Sequence, residues 1–585
     1  MILSSLKSNR FNKPFVQEIT QWVGFLSTLD ETLSLWLQVQ QNWIYLEAVF
    51  ASGDIARQLP AEAKRFSNID KSWIKIMQTA QANPKCIDLT SRDDTLKSLL
   101  PYLLTELEKC QKSLSGYLEQ KRNLFPRFYF CSDAVLLEIL GQQSEPTNIQ
   151  NHLLSIFDSV AKVQFSTGAK KNNIIGLYDK TGEHVELSAP VVATGNIEDW
   201  LNKLISVMQM SLKDIARQAA QDLNKPNKDI KTLVEDLYRN QPAQITLLCI
   251  QIIWTYWCEC YFRNTKDRKM LAETNNRIQQ LKKSLIDITR DPTIQGGWRT
   301  NVETLITIHV HQEDVFAELT TIPEKAVKSV SDFDWLKQTR FYWNADLDTC
   351  KIQITDIDFT YMYEYLGINE RLVITPLTDR CYITLAQAIG LYLGGAPAGP
   401  AGTGKTETVK DMGKSLGQFV VVFNCSDQMD YKGLGKIFRG IAQTGCFGDF
   451  DEFNRIELDV MSVAAQQISC ILNAIKEKKK TFLYTDGCTI NLTLTASYFI
   501  TMNPGYAGRQ ELLENLKALF RSVAMICLTA ANAGSSNTLA DGKSVCWAQP
   551  YFSMLLLLIK IFDLISFKID RNSYCVAKLV RALRT

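Results

Sequence analysis

Eight consecutive residues, GPAGTGKT at positions 399–406, constrain this chain more than any other feature. They fit the pattern G-x-x-x-x-G-K-[ST], a loop whose backbone N–H groups wrap nucleotide phosphates. Gly399, Pro400, Ala401, Gly402, Thr403 and Gly404 would form the cradle, Lys405 would reach the terminal phosphates and Thr406 would hold Mg²⁺. Helix-compatible residues follow over 408–416, and a β-branched run, FVVVF at 419–423, comes next. That loop–helix–strand order is what a nucleotide fold requires, and a bland Gly/Ala-rich turn does not account for it.

The second half of such a site is legible downstream. The run GCFGDFDE at 445–452 reads as a strand ending in two acids, Asp451 for the Mg²⁺ shell and Glu452 for the attacking water. A solvated acidic turn is the plain alternative; the order and distance from Lys405 favour the site. A helix over 458–475 follows, and its exit KEKKK at 476–480 reads as a solvated last turn complementing the helix dipole. Residues 482–494 then alternate as a hairpin around Thr485-Asp486-Gly487. Next, a strand over 498–502 delivers Asn503, at a carboxyl edge where an amide can orient water against a γ-phosphate. Upstream, RLVITPLT at 371–378 is an apolar segment stopped by Pro376, and Val373, Ile374 and Pro376 suit the flat apolar slot that a base needs.

The remaining chain reads as mostly helical. Its 585 residues leave room for roughly four domains of about 150 each. With 64 basic against 62 acidic side chains there is no global field for nucleic acid or an acidic membrane surface, and neither is an expected partner. The 15 cysteines show no paired metal-ligand spacing, which points to a reducing compartment. MILSSLKSNRFNK at the start lacks the apolar core of a signal peptide, so secretion is not expected. Over 1–150 apolar residues recur three and four apart, as at Leu100, Leu103 and Leu107, which predicts an elongated bundle of amphipathic helices. Pro60, Pro84, Pro101 and Pro126 fall at plausible helix starts or stops. The aromatic run at 125–130 is expected to be buried, and Ser132-Asp133 to cap a helix over 134–140.

Short strands are expected over 160–195, turning at 180–184, and helices over 200–212, 246–262 and 271–288. Glu259 interrupts the apolar run of 246–262, against a membrane span there. His309 and His311 alternate on a predicted strand, 306–311; without a third ligand at a telling spacing they read as ordinary polar contacts. Asn224-Lys225-Pro226 hints at a guanine-reading motif but lacks its aspartate.

Taken together, GPAGTGKTET, VFNCSDQMDYKGLGKIF, FDEFNRI, AAQQI and FITMNPGYAGRQEL resemble the first AAA+ module of a dynein heavy chain. RLVITPLTDRCYITL resembles its adenine-side loop, and RFYFCSDAVLLEILGQ, IHVHQ and DFDWLKQTRFYWN resemble the mechanical linker that precedes the ring. The wording is closest to axonemal outer-arm heavy chains, over about residues 60–525. This resemblance implies a mainly α-helical elongated linker over 1–350, an α/β P-loop (AAA+) domain over 351–525, and a divergent tail over 526–585. It implies ATP and Mg²⁺ as cofactors, with Lys405 and Thr406 on phosphate and metal, Asp451 supporting the metal, Glu452 activating water and Asn503 as the first sensor. Val373, Ile374 and Pro376 would border adenine. Implied partners are other dynein heavy, intermediate and light chains, and microtubules through parts outside this chain. The implied location is the cytoskeleton of a cilium or flagellum, the axoneme. The alternative is a truncated, non-catalytic nucleotide-binding or dynein-assembly module.

Three departures from the family pattern stand out. Asp449 occupies a position where the family usually has cysteine, placing an extra carboxylate near the metal site, with a raised pKa or weaker phosphate binding as the expected effect. Leu513 stands where proline is common. After Met525 the likeness is expected to stop, and the tail, Ser/Asn/Gly-rich and then apolar over 551–567, reads as the product of a truncated or alternatively read transcript.

Overall fold

The structure is a computed structural model describing residues 13–50, 53–82, 94–141, 146–166, 172–223, 229–265, 267–290, 297–322, 325–504 and 510–525. Pro84, the tripeptide 224–226 and the tail 526–585 lie outside the described residues, as does most of the amino-terminal stretch. The chain divides into two compact units, residues 1–152 with 192–202, and residues 153–191 with 203–585.

The first unit is built from helices Val16–Phe50, Pro60–Ala82 and Asp94–Leu124 with shorter pieces between and after them. On the last of these, Leu100, Leu103, Leu107, Cys110 and Leu114 recur three and four residues apart and are all buried, which is the stripe expected of a core-facing helix. The Trp73 ring lies 5.4 Å from that of Trp36 and 6.4 Å from that of Trp43, so aromatic packing ties the other two helices together. Pro101 departs from expectation by sitting inside Asp94–Leu124. A proline there removes one backbone donor, a loss that the buried stripe on either side of it outweighs. The aromatic run is buried as expected, with Phe125 and Phe128 rings 4.7 Å apart, and Ser132 Oγ accepts from the Val135 N–H at 3.4 Å at the start of helix Asp133–Gly141.

In the second unit β1 (Lys162–Phe165), β2 (Asn173–Tyr178) and β3 (His184–Val192) form the expected small sheet in that order. Helices Ala243–Arg263, Arg268–Thr289 and Gly297–Thr321 follow. Ala243–Arg263 is long and apolar enough to cross a membrane, yet 72% of its apolar window is buried inside the protein. Its Glu259 is also buried and accepts a hydrogen bond from Tyr342 Oη at 2.6 Å.

His309 and His311 require a correction: they lie on the helix Gly297–Thr321. Residues two apart on a helix diverge, so they cannot pair as they would on a strand. Six residues of alternating polarity did not distinguish the two periods. His309 Nε2 bonds the Ile278 carbonyl at 2.8 Å, and burial lowers the pKa of His311 to about 4. Among the described residues no three His, Cys, Asp or Glu side chains form a metal-holding group.

Strands β4 (Arg340–Asn344), β5 (Thr349–Ile354) and β6 (Ile357–Thr360) make an antiparallel sheet in which Cys350, Ile352 and Ile354 alternate inward. Beyond it lies a five-stranded parallel sheet of β7 (Gly394–Ala398), β8 (Val420–Asn424), β9 (Phe447–Asp451), β12 (Ser497–Ile500) and β13 (Phe520–Ala524). Its order is β13-β7-β12-β9-β8, while β10 (Thr481–Leu483) and β11 (Thr489–Asn491) form the separate hairpin read from the sequence. Helix Pro376–Gly390 leads into β7, and helices Lys405–Ser415, Tyr431–Thr444 and Leu458–Lys476 connect the parallel strands that follow.

The strand feeding the phosphate loop, β7, escaped sequence reading because its residues, GGAPA, have poor strand propensity. Tertiary packing demands them. A Cβ on Gly394 would come within 2.3 Å of the Phe520 ring, and one on Gly395 within 2.5 Å of Leu385.

Candidate nucleotide site

Four strand ends meet at the carboxyl edge of the parallel sheet, where open α/β sheets bind their ligands. From β7 the chain enters the loop 399–404, in which Gly402 and Gly404 take positive φ of 77° and 78°. A side chain would strain both, and their left-handed conformation turns the loop into the helix Lys405–Ser415. Gly399 also has no room for a Cβ, which would fall 2.2 Å from the Met525 carbonyl just after β13. Thr403 is buried and its hydroxyl donates to the Pro400 carbonyl at 3.0 Å. Lys405 Nζ donates to the carbonyls of Gly399 at 3.0 Å and Pro400 at 2.7 Å, so the ammonium lies over the loop it belongs to. Thr406 sits in the first helical turn, partly exposed.

From β9 come the two acids. Asp451 Oδ1 accepts from the Glu452 N–H at 3.1 Å and from the Thr501 hydroxyl. Glu452 takes a left-handed φ of 54°, a conformation costing roughly 1–2 kcal/mol for a residue with a Cβ. The fold holds it there through a second bond from the same N–H to Thr501 Oγ1 at 3.1 Å. Its carboxylate accepts from Asn503 Nδ2 at 3.0 Å and from Arg455 Nε at 2.8 Å. Thr501 follows β12 and had no role beyond the expected strand over 498–502; its only signal is its place two residues before Asn503.

Asn503 is buried, and its Oδ1 has no hydrogen-bond partner in the structure. A buried polar atom without a partner is costly, and here it lies beside the acid expected to meet water. Hydroxyl, carboxylate and ammonium groups at a helix N-terminus are the donor set that suits a triphosphate with a hard cation, so these residues fit Mg·ATP. Val373 and Ile374 are partly exposed in the extended segment before Pro376, which opens the helix Pro376–Gly390 behind the Thr375 cap.

Asp449 lies one side-chain repeat before Asp451 on β9, fully buried, with neither carboxyl oxygen hydrogen-bonded. Burial pushes its pKa well above the usual carboxylate range; nearby Asp451 pushes the same way and Lys410 opposes. The extra carboxyl is thus enclosed in the core beneath the site, without a hydrogen-bond partner. Leu513, the second departure, takes φ −60°, which proline would favour and leucine adopts without strain.

A phosphate loop rising from an interior strand of a parallel sheet, with an asparagine after the next strand and an acid pair at the end of the one beyond, defines a P-loop ATP-binding module of the AAA+ class. Residues 361–542 match the family described as the hydrolytic ATP binding site of dynein motor region, and residues 1–219 match dynein heavy chain, N-terminal region 2. The chain belongs to the dynein heavy-chain family. It is 54% identical over 527 residues to dynein axonemal heavy chain 5 of Mus musculus, covering 90% of this chain and 11% of that protein. It is 48% identical over 528 residues to the dynein gamma chain, flagellar outer arm, of Chlamydomonas reinhardtii, covering 90% and 12%. Against dynein axonemal heavy chain 2 of Mus musculus it is 40% identical over 583 residues, covering 98% and 12%. The chain therefore spans about a tenth of the length of these relatives. The two family matches, over 1–219 and 361–542, extend beyond the quoted motifs at both ends. Amphipathic helices carry family likeness in their spacing and offer few short motifs to read.

Proposed function

We propose that this chain binds Mg·ATP at residues 399–406 and hydrolyses it as the first ATP site of an axonemal dynein motor. In this reading turnover is coupled to movement of the helical region for microtubule-based motility of cilia and flagella. The observation that carries the reading is the 3.0 Å contact between Glu452 and Asn503 on neighbouring strands, at the edge where the phosphate loop leaves β7. Lys405 and the backbone of 399–404 hold the phosphates, and Thr406 and Asp451 hold the cation. When bound, Mg²⁺ supplies neutralisation of charge on the phosphoryl oxygens. Glu452 accepts the proton of the attacking water, Asn503 orients that water, and Val373, Ile374 and Pro376 border the adenine. The proposed division is a linker over 1–350, the ATP module over 351–525 and a tail over 526–585. Other dynein heavy, intermediate and light chains are the proposed partners, with microtubules engaged through regions outside this chain, in the axoneme.

A second reading, nucleotide binding without turnover, is favoured by one detail: both oxygens of Glu452 are engaged, by Asn503 and Arg455. ATP binding and steady-state hydrolysis of the purified chain, beside Lys405→Ala and Glu452→Gln, decide between them. The motor reading expects binding lost in the first variant and turnover lost with binding kept in the second. Wild type that binds without turnover supports the second reading, and wild type that binds no ATP sinks both.

A further inference from the structure

Arg371 and Asp411 are 40 residues apart in sequence and form a buried, two-pronged ion pair, with Nε–Oδ1 at 2.6 Å and Nη2–Oδ2 at 3.0 Å. Their side chains are only 5% and 3% exposed. Asp411 Oδ1 also accepts from the Leu372 backbone N–H at 3.2 Å, and Tyr382 Oη donates to its other oxygen. Arg371 reaches Ser415 Oγ as well, and Lys414 Nζ donates to the Glu370 carbonyl at 3.3 Å. Every one of these bonds runs between the helix that begins at Lys405 and the segment leading into, or the helix following, Val373 and Ile374. Asp411 stands six residues into the phosphate-loop helix, about 9 Å along its axis from Lys405.

Buried ion pairs are expensive to desolvate, and hydrophobic packing would join two elements as firmly. What the planar guanidinium fork adds is direction, because it donates two parallel hydrogen bonds to a carboxylate lying in its own plane. We propose that Arg371 and Asp411 are a positioning pair, resting on the nucleotide-site reading above: they set the spacing between the base-bordering segment and the phosphate loop. ATP, which spans both subsites, depends on the pair; a triphosphate without a base does not.

The test is calorimetric affinity of the purified chain for Mg·ATP and for inorganic tripolyphosphate with Mg²⁺, in wild type, Arg371→Lys and Tyr382→Phe. Arg371→Lys keeps the charge and loses the fork; it is expected to weaken ATP about tenfold and leave tripolyphosphate within about twofold. Tyr382→Phe keeps both charges and should shift ATP the same way by about two- to threefold, which decides the matter if the lysine variant does not fold. Parallel weakening of both ligands, or no change in either, overturns the positioning role and leaves the nucleotide site intact. Wild type that binds neither ligand overturns the site reading itself, and the pair's role with it.

Discussion

The phosphate-loop helix has a buried carboxyl on each side, and the fold treats the two in opposite ways. Toward helix Pro376–Gly390, burial alone would raise the pKa of Asp411, but the Arg371 guanidinium, with the Tyr382 hydroxyl and the Leu372 N–H, brings it below its usual value. Toward the sheet, Asp449 has no such partner, and burial with the neighbouring Asp451 carries it well above that value. One carboxyl is braced in an ion pair; the other is enclosed in the core without a partner. The contrast shows that depth does not decide the state of a buried acid, since both are buried. What decides it is whether the neighbouring element supplies a cation and donors in place of water.

The largest effect should come from breaking the satisfied side. Arg371→Ala leaves Asp411 buried without its cation and is expected to lower stability by about 3–5 kcal/mol, read from the denaturant midpoint. A loss below about 1 kcal/mol would mean the pair is more hydrated than its burial indicates. Asp449→Cys should act with the opposite sign. It places a small apolar thiol where a partnerless carboxyl stood and is expected to raise stability by about 1–3 kcal/mol in the same assay, with ATP binding retained. Destabilisation by this change would show that Asp449 makes a contact the packing does not reveal.

Smaller still is Tyr382→Phe, which removes one hydrogen bond from the satisfied side and should cost about 1 kcal/mol in thermal or chemical melting. The last effect is a slope with pH, read in acid. Asp379, in the first turn of Pro376–Gly390, is raised to about 6 by burial, with Lys337 opposing. Between the ordinary aspartate value, about 4, and about 6, the folded chain keeps a proton that the unfolded chain releases, so stability falls as pH rises through that window. Asp379→Asn is expected to flatten that slope; an unchanged slope would assign it to other groups.

How much of this was legible beforehand depended on how far apart in sequence the cooperating residues lie. The phosphate loop, the acid pair and Asn503 were readable because each sits at the end of its own strand within a short, contiguous pattern. The strand β7 was not, since GGAPA has no strand propensity and is held by Phe520 and Leu385 packing against its missing side chains. Thr501, which supports both acids, carried no pattern beyond its nearness to Asn503. For His309 and His311, a short alternation fitted two periods, and the longer helix around them chose between the two.

Sequence by itself determined the class of site, the order loop–helix–acid pair–asparagine, and the family, because backbone wrapping of a phosphate and delivery of a carboxylate to a strand end are local requirements. Only the tertiary structure decided that Asp449 is enclosed rather than presented to the site, that Asp411 is paired with Arg371, and that Glu452 lies between Asn503 and Arg455. Those outcomes depend on which groups replace water around a charge, and the replacements arrive from distant parts of the chain.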